Sequence, residues 1–243
     1  MNQFTKIISS LIFVVLLGSS WGFSQNVSIQ IEGGVFLGSP YTLEGVPEGS
    51  TGGPLIGPHG GLSFSYHFTE RISARLGMLY AKKGSEYLVP ISGRTRVERS
   101  IFGLNFEIPF DLGYEGTADG EYNNEYIDLP LSFVFRNRKG NLAVTAGPYA
   151  AYLLKGFHKG TVTVRVANLF NVNDEPFDQS ELIRSWDYGV HLGTEFRILD
   201  RFYGYASGMF ALVSVFSENP EGLEGVYRNI YMRVGLAYRI GKN

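Results

Sequence analysis

Apolar and polar residues alternate with a period of two along much of the chain, most clearly near its end. In residues 229–240 the even positions are all apolar, whereas the odd positions are mostly polar or small. Because successive side chains of a strand point to opposite faces, this period predicts a β-strand between two unlike environments. The same alternation predicts eight long strands, over residues 27–37, 60–68, 72–81, 122–136, 142–155, 184–198, 202–216 and 229–240.

The connections between these strands alternate in length. Short connections lie at 69–71, 137–141 and 199–201, and long ones at 38–59, 82–121, 156–183 and 217–228. Outer-membrane barrels have short periplasmic turns and longer extracellular loops, and their strands need about 9–11 residues to cross the bilayer. The sequence therefore predicts an all-β fold, an eight-stranded antiparallel transmembrane β-barrel.

Two further segments alternate, 102–112 and 162–166, and counting both as membrane-crossing strands gives a ten-stranded alternative. Pro109 would interrupt a central ladder, and the second segment is short. We favour strand extensions and hairpins that rise above the membrane within the long loops.

The distribution of charge separates a membrane barrel from a soluble one. A soluble exported binding barrel has an apolar interior, and an open β-sandwich leaves edges that invite aggregation. Here one face is large and aromatic, as lipid requires, while the other is small and charged. An eight-stranded interior is just wide enough for side chains to fill, so we expect a plugged lumen with paired charges. The expected structural lumen charges are Glu32, Arg75, Asp128, Glu195 and Arg233. Glu32 and Arg233 are the expected pair, because the first and last strands meet at closure.

The first 24 residues have the pattern of a cleaved signal peptide. Lys6 precedes an apolar run over 7–17, and small residues at 22 and 24 flank Phe23. The run is shorter than the roughly 20 residues of a membrane-spanning helix. We therefore expect a signal peptide over 1–24 and a single barrel domain over 25–243.

Composition narrows the chemistry further. The formal net charge is −2, which disfavours nucleic acid as a partner, and the chain has no cysteine. The 4 histidines show no metal-ligand spacing, so neither a metal nor a cofactor is expected. Asp187, His191 and Glu195 share one strand face, but a four-residue step separates side chains by about 13 Å. Asp119, Glu121 and Glu125 lack a calcium-loop spacing. We therefore expect that the protein is not an enzyme. The alternative, an outer-membrane hydrolase, is not supported by any set of catalytic residues in the sequence.

The chain contains five short motifs in order: KG at 83–84, YIDLPL at 126–131, AGPY at 146–149, DYG at 187–189 and GTE at 193–195. Together they resemble the outer-membrane β-barrel family typified by PorT, which is common in Bacteroidota. The resemblance implies a Gram-negative outer-membrane location. The expected function is non-catalytic: envelope integrity, adhesion or partner binding through extracellular loops. The alternative is an accessory component of a type IX-like secretion apparatus. The expected partners are outer-membrane lipid, the barrel-insertion machinery and an envelope protein.

Overall fold

The computed structural model describes residues 26–42, 48–96, 99–101, 104–106, 111–166, 170–218 and 226–241. These residues form strands joined by turns, with one turn of 3-10 helix at Ser180–Leu182. The strands are β1 (Val27–Thr42), β2 (Thr51–His67), β3 (Ile72–Arg96), β4 (Arg99–Ile101), β5 (Leu104–Phe106), β6 (Asp111–Arg136), β7 (Leu142–Lys155), β8 (His158–Val166), β9 (Phe170–Asp178), β10 (Trp186–Arg197), β11 (Phe202–Ser214) and β12 (Tyr227–Gly241).

Eight of these strands close into a ring of antiparallel neighbours, in the order β1, β2, β3, β6, β7, β10, β11 and β12. The ring closes between β12 and β1, where Ser28 lies opposite Gly241 and Thr42 lies opposite Tyr227. Closure gives the backbone groups of each strand a partner on both sides, which is the condition for crossing lipid with strands. The predicted eight-stranded antiparallel barrel is confirmed.

The sheet continues beyond the ring as an extension on the side of the long loops. Strands β3 and β6 stay paired up to Arg96 opposite Asp111. β7 pairs with β6 only from Glu125 onward, and β8 takes its place along Tyr114–Tyr122. β9 completes a hairpin with β8, so the whole sheet has ten strands although its ring has eight. Residues 162–166 therefore lie in a hairpin of the extension, as expected.

Two connections expected to be long loops are largely strand. β1 continues to Thr42 and β2 begins at Thr51, while β3 and β6 occupy most of 82–121. The alternation of apolar and polar residues weakens there because glycine, proline and polar residues are frequent, and polar residues such as Lys83 and Ser85 occupy buried inward positions. Pro109 and the residues that precede Asn26, including the predicted signal peptide, lie outside the described residues.

The barrel wall has an apolar outside and a polar inside. On β10 the outward residues Trp186, Val190 and Leu192 are 49%, 47% and 58% exposed, whereas Asp187 and Glu195 are 4% exposed. Such an apolar outer surface is what a lipid bilayer requires of a barrel. Within the described part of the chain, helices of bilayer-spanning length and apolarity are absent.

Candidate functional site

The upper lumen, toward the extension, contains a buried lysine. Lys83 Nζ lies 2.7 Å from Asp128 Oδ1, and neither side chain is exposed. Both residues share the inward parity of neighbouring strands β3 and β6, where Leu79 is opposite Asp128. Four aromatic rings surround the ammonium group, with centroids at 4.8 Å (Tyr126), 4.8 Å (Tyr231), 5.3 Å (Phe36) and 5.8 Å (Tyr149). Cation–π attraction and the ion pair together hold this charge in a dry site.

A second carboxylate completes this upper cluster. Asp187 accepts a hydrogen bond from Asn229 Nδ2 at 3.0 Å and one from the Tyr149 hydroxyl at 3.4 Å. The groups around Lys83 and Asp187 come from five strands, β1, β6, β7, β10 and β12. Several positions of the sequence motifs meet here, namely Lys83, Tyr126, Asp128, Tyr149 and Asp187. The motifs are far apart along the chain, yet they build one interior contact.

The middle of the lumen satisfies its charges with hydroxyl groups. Ser63 donates a hydrogen bond to Glu32, and Arg233 Nε donates to Ser207 Oγ at 2.6 Å. The expected Glu32–Arg233 pair is wrong: among the described residues these two form no ion pair. The register places Ala237 opposite Glu32 and Phe36 opposite Arg233, a displacement of four residues. This offset along the strands separates two residues that lie at similar fractions of their own strands.

The lower lumen, near the short turns, contains two arginines around Glu195. Arg75 binds Glu195 with both terminal nitrogens, and its Nη2 lies 3.0 Å from Oε2. Arg239 Nη2 lies 3.5 Å from the same carboxylate. Its guanidinium carbon is 3.8 Å from the ring centroid of Tyr203. A planar guanidinium suits both contacts, the bidentate carboxylate and the aromatic face. Glu195 therefore bridges two arginines.

All five charges expected in the lumen lie inside the barrel, with at most 7% of each residue exposed. The structure brings together only Arg75 and Glu195 from this set. Lys83, Asp187 and Arg239 also lie inside, although none was placed among the lumen charges. The sequence alternation predicted inward positions for Asp187 and Arg239. It did not cover Lys83, which lies beyond the expected end of its strand.

Two serine–histidine pairs occur in the lumen, and neither has the arrangement of a nucleophile with its base. The Ser28 and Ser132 hydroxyls lie 2.8 Å and 3.1 Å from Nε2 of His67 and His191. In a hydrolytic triad a carboxylate orients the second ring nitrogen. Here Nδ1 of His67 faces Arg136 Nη1 at 3.4 Å. Nδ1 of His191 has no hydrogen-bond partner among the described residues.

The described residues also contain no cluster of metal-ligating side chains. Across the described ranges there is no group of three or more His, Cys, Asp or Glu side chains placed to hold an ion. The acidic residues of 119–125 lie along one strand of the extension, β6. They do not enclose a common point.

Aromatic side chains close the upper end of the barrel. His158, at the start of β8, is wholly buried and lies 2.5 Å from the Tyr87 hydroxyl through Nε2. The rings of Tyr122 and Phe216 pack against it, with centroids 6.2 Å and 5.2 Å away. Burial lowers the pKa of His158 to about 4, so the ring is neutral at pH 7. We call these four residues the aromatic cap.

The barrel, its inward charges and its apolar exterior agree with a comparison of the sequence to known families. Residues 23–217 match the outer membrane protein beta-barrel domain. The chain belongs to this family. Membership places the protein in the outer membrane. No curated protein is significantly similar to the sequence.

Three solved outer-membrane proteins are similar to the chain at low identity. OprG of Pseudomonas aeruginosa is 12% identical, with 89% of this chain and 97% of that one covered and a TM-score of 0.37. Ail of Yersinia pestis is 13% identical, with coverage of 89% and 100% and a TM-score of 0.33. Neisserial surface protein A is 12% identical, with coverage of 88% and 97% and a TM-score of 0.34.

Proposed function

We propose that this protein is a non-catalytic outer-membrane barrel with a plugged lumen, and that it acts by binding a partner through its extracellular extension. The packing of the lumen and the strands above the ring support this proposal. The interior is filled by paired or hydrogen-bonded side chains at three levels, while four strands, β3, β6, β8 and β9, pair with one another above the ring.

The plugged lumen rests on the contacts of the upper and lower clusters. Lys83 and its four aromatic rings fill one level, and Arg75, Glu195 and Arg239 fill another. The aromatic cap lies above both. A solute passing along the axis would have to separate two buried ion pairs, each of which is costly to break. The surface available for interaction is therefore outside the barrel.

The extension provides that surface. Lys159 and Asp178 lie opposite each other at the base of the β8–β9 hairpin and form an exposed ion pair of 2.8 Å. Hydrogen bonds from Lys159 and Ser180 lower the pKa of Asp178 to about 2, so the Asp178 carboxylate is ionised at neutral pH. Because a paired sheet presents side chains in a fixed arrangement, it is a better recognition surface than a mobile loop. The envelope or surface partner is expected to bind there.

The test separates the extension from the barrel. Replacing residues 160–177 with Asn-Gly keeps the Lys159–Asp178 pair and supplies a two-residue hairpin turn. Cells with the full-length protein, the trimmed protein or neither are compared for surface attachment and for in-cell crosslinks. We expect the trimmed barrel to insert normally and to lose both. Equal attachment and crosslinking with and without the hairpin would contradict partner binding there.

Solute uptake tests the plug directly. Liposomes containing the wild-type barrel should not swell in a small sugar, whereas the double variant Lys83→Ala/Tyr149→Ala should admit it. Swelling with the wild type would show that the lumen is an open channel.

The PorT-like resemblance supports a second proposal, an accessory role in a type IX-like secretion apparatus. The observation that favours it is the meeting of the motif residues Lys83, Tyr126, Asp128, Tyr149 and Asp187 in the upper cluster. A stable complex with secretion components after purification in mild detergent is the expected result. Purification of the barrel alone from cells with an active apparatus would contradict it.

A further inference from the structure

The lower mouth of the barrel contains a basic cavity that the plug and the extension do not use. Its volume is about 290 Å³, and it lies between the turns that join β2 to β3 and β6 to β7. Among the described residues, six Arg and Lys side chains line it: Arg71, Arg136, Arg138, Lys139, Arg197 and Arg239. Glu70 is the acidic residue of this described lining. Short turns of an outer-membrane barrel lie in the periplasm, so the cavity opens to the periplasm.

The arginines at the floor of this cavity have hydrogen-bond donors left over. Arg136 Nη1 donates to Ser73 Oγ at 3.0 Å, but its buried Nη2 has no hydrogen-bond partner among the described residues. Arg239 is 2% exposed; among the same residues its Nε and Nη2 have no hydrogen bond, although Nη2 lies 3.5 Å from Glu195. Buried guanidinium donors without acceptors are costly, and native structures normally satisfy them. An acceptor that enters from the mouth would supply the hydrogen bonds that the described residues do not make.

The charge balance points the same way. Glu195 neutralises Arg75 and lies 3.5 Å from Arg239, and no carboxylate among the described residues lies within 4.0 Å of Arg136. Arg71, Arg138, Lys139 and Arg197 add four exposed cations at the rim. Asp200 lies in the neighbouring turn between β10 and β11. Even with Asp200 and Glu70, positive charge is in excess at this end.

We propose that the lower cavity binds the phosphate group of a small soluble periplasmic molecule. A phosphate presents several acceptor oxygens and up to two negative charges, and guanidinium groups bind it with paired hydrogen bonds. Arg136 and Arg239 hold the phosphate at the floor, and the rim cations attract it from the periplasm. The small volume selects a compact ligand, because drug-sized ligands need about 300–1,000 Å³.

Calorimetric titration of the purified, folded barrel with inorganic phosphate tests the site. The titration is done in nonionic detergent at constant ionic strength, with chloride as the balancing anion. Arg136→Gln should weaken binding about tenfold or more, since it removes a charge-assisted donor. The exposed rim variant Arg138→Gln/Lys139→Gln should weaken binding several-fold without affecting the fold. Lys155→Gln, a cation at the opposite end of β7, is the matched control and should bind as the wild type does.

A folding check and a lipid titration complete the experiment. Heat-dependent migration in SDS reports whether Arg136→Gln is folded, and the rim variant decides the question if it is not. No phosphate binding by the wild type, or equal binding by all variants, would overturn the proposal. A titration with short-chain phosphatidic acid in the same detergent tests the lipid source. Binding of that lipid without binding of inorganic phosphate would overturn a soluble ligand.

Discussion

Lys83 and Asp128 form an ion pair of 2.7 Å in which neither side chain reaches solvent. Two neighbouring strands contribute them, and four aromatic rings exclude water around the ammonium group. Charges in such a place are stable only together, because removal of one leaves the other buried without a partner. The pair therefore connects the packing of the upper lumen to the stability of the barrel.

Lys83→Met should destabilise the barrel by about 3–5 kcal/mol, the usual cost of a buried charge that loses its partner. The double variant Lys83→Met/Asp128→Asn should recover part of that loss. Urea unfolding from liposomes, followed by the fluorescence of Trp186, measures both. Lys155→Met at the exposed end of β7 is the control and should change stability by no more than about 0.5 kcal/mol. Equal stability of Lys83→Met and the wild type would show that the pair contributes nothing.

Two double-mutant cycles should differ in the size of their coupling energy. Arg75→Gln and Glu195→Gln remove partners of one bidentate contact, so their effects should be non-additive by about 0.5–3 kcal/mol. Glu32→Gln and Arg233→Gln remove residues with separate serine partners. Their effects should add within about 0.5 kcal/mol. Unfolding in urea measures all six variants, and strong coupling of Glu32 with Arg233 would contradict the observed register.

Cysteine labelling should distinguish the two faces of β12. Leu236 is 57% exposed on the outer wall, whereas Ala237 is 2% exposed in the lumen. A lipophilic maleimide should therefore modify Val234→Cys and Leu236→Cys in membranes and should spare Ala237→Cys. A charge on the outer face tests the same assignment, since Val234→Arg should cost about 2–4 kcal/mol near the bilayer midplane. Labelling independent of parity would be inconsistent with the barrel.

The closed ring should resist SDS without heating. Register continues from Ser28 opposite Gly241 to Thr42 opposite Tyr227, so the closing pair runs the length of β1. Boiled and unboiled samples should therefore migrate differently on a gel. Truncation before Tyr227 removes β12, and the shortened chain should lose this difference.

The aromatic cap should loosen as the pH falls. His158 has an ordinary pKa near 6.5 when unfolded and about 4 in the fold, so the unfolded segment binds the proton first. The stabilisation is complete above about pH 6.5 and is lost progressively toward pH 4. Amide hydrogen exchange in β8 should thus accelerate between pH 7 and pH 5 beyond the intrinsic pH effect. His158→Gln should exchange with no such excess, and an equal excess in that variant would assign it to another group.

The barrel, the parity of its strands and its outward apolar face could all be predicted from the alternation of residues. Those features follow from local geometry, because a strand alternates its side chains and lipid tolerates only one of the two resulting faces. The last strand, with Val234 and Leu236 out and Arg233 and Ala237 in, required nothing beyond the alternation. The extension was partly visible, but its strands were shorter in the prediction because buried polar residues such as Lys83 and Ser85 interrupt the apolar–polar alternation.

The pairing of the lumen charges, in contrast, depends on the register of the folded barrel. Glu32 and Arg233 have the right parity and similar positions along their strands, yet the register places Phe36 and Ala237 opposite Arg233 and Glu32. The stagger of strands around a barrel is a property of the closed ring, and no single strand encodes it. For the same reason, the ion pair of Lys83 with Asp128 and those of Glu195 with two arginines were not predictable from single strands. The parity of a residue along its strand determines whether its charge lies in the lumen, and the shear of the closed ring determines which residue lies beside it.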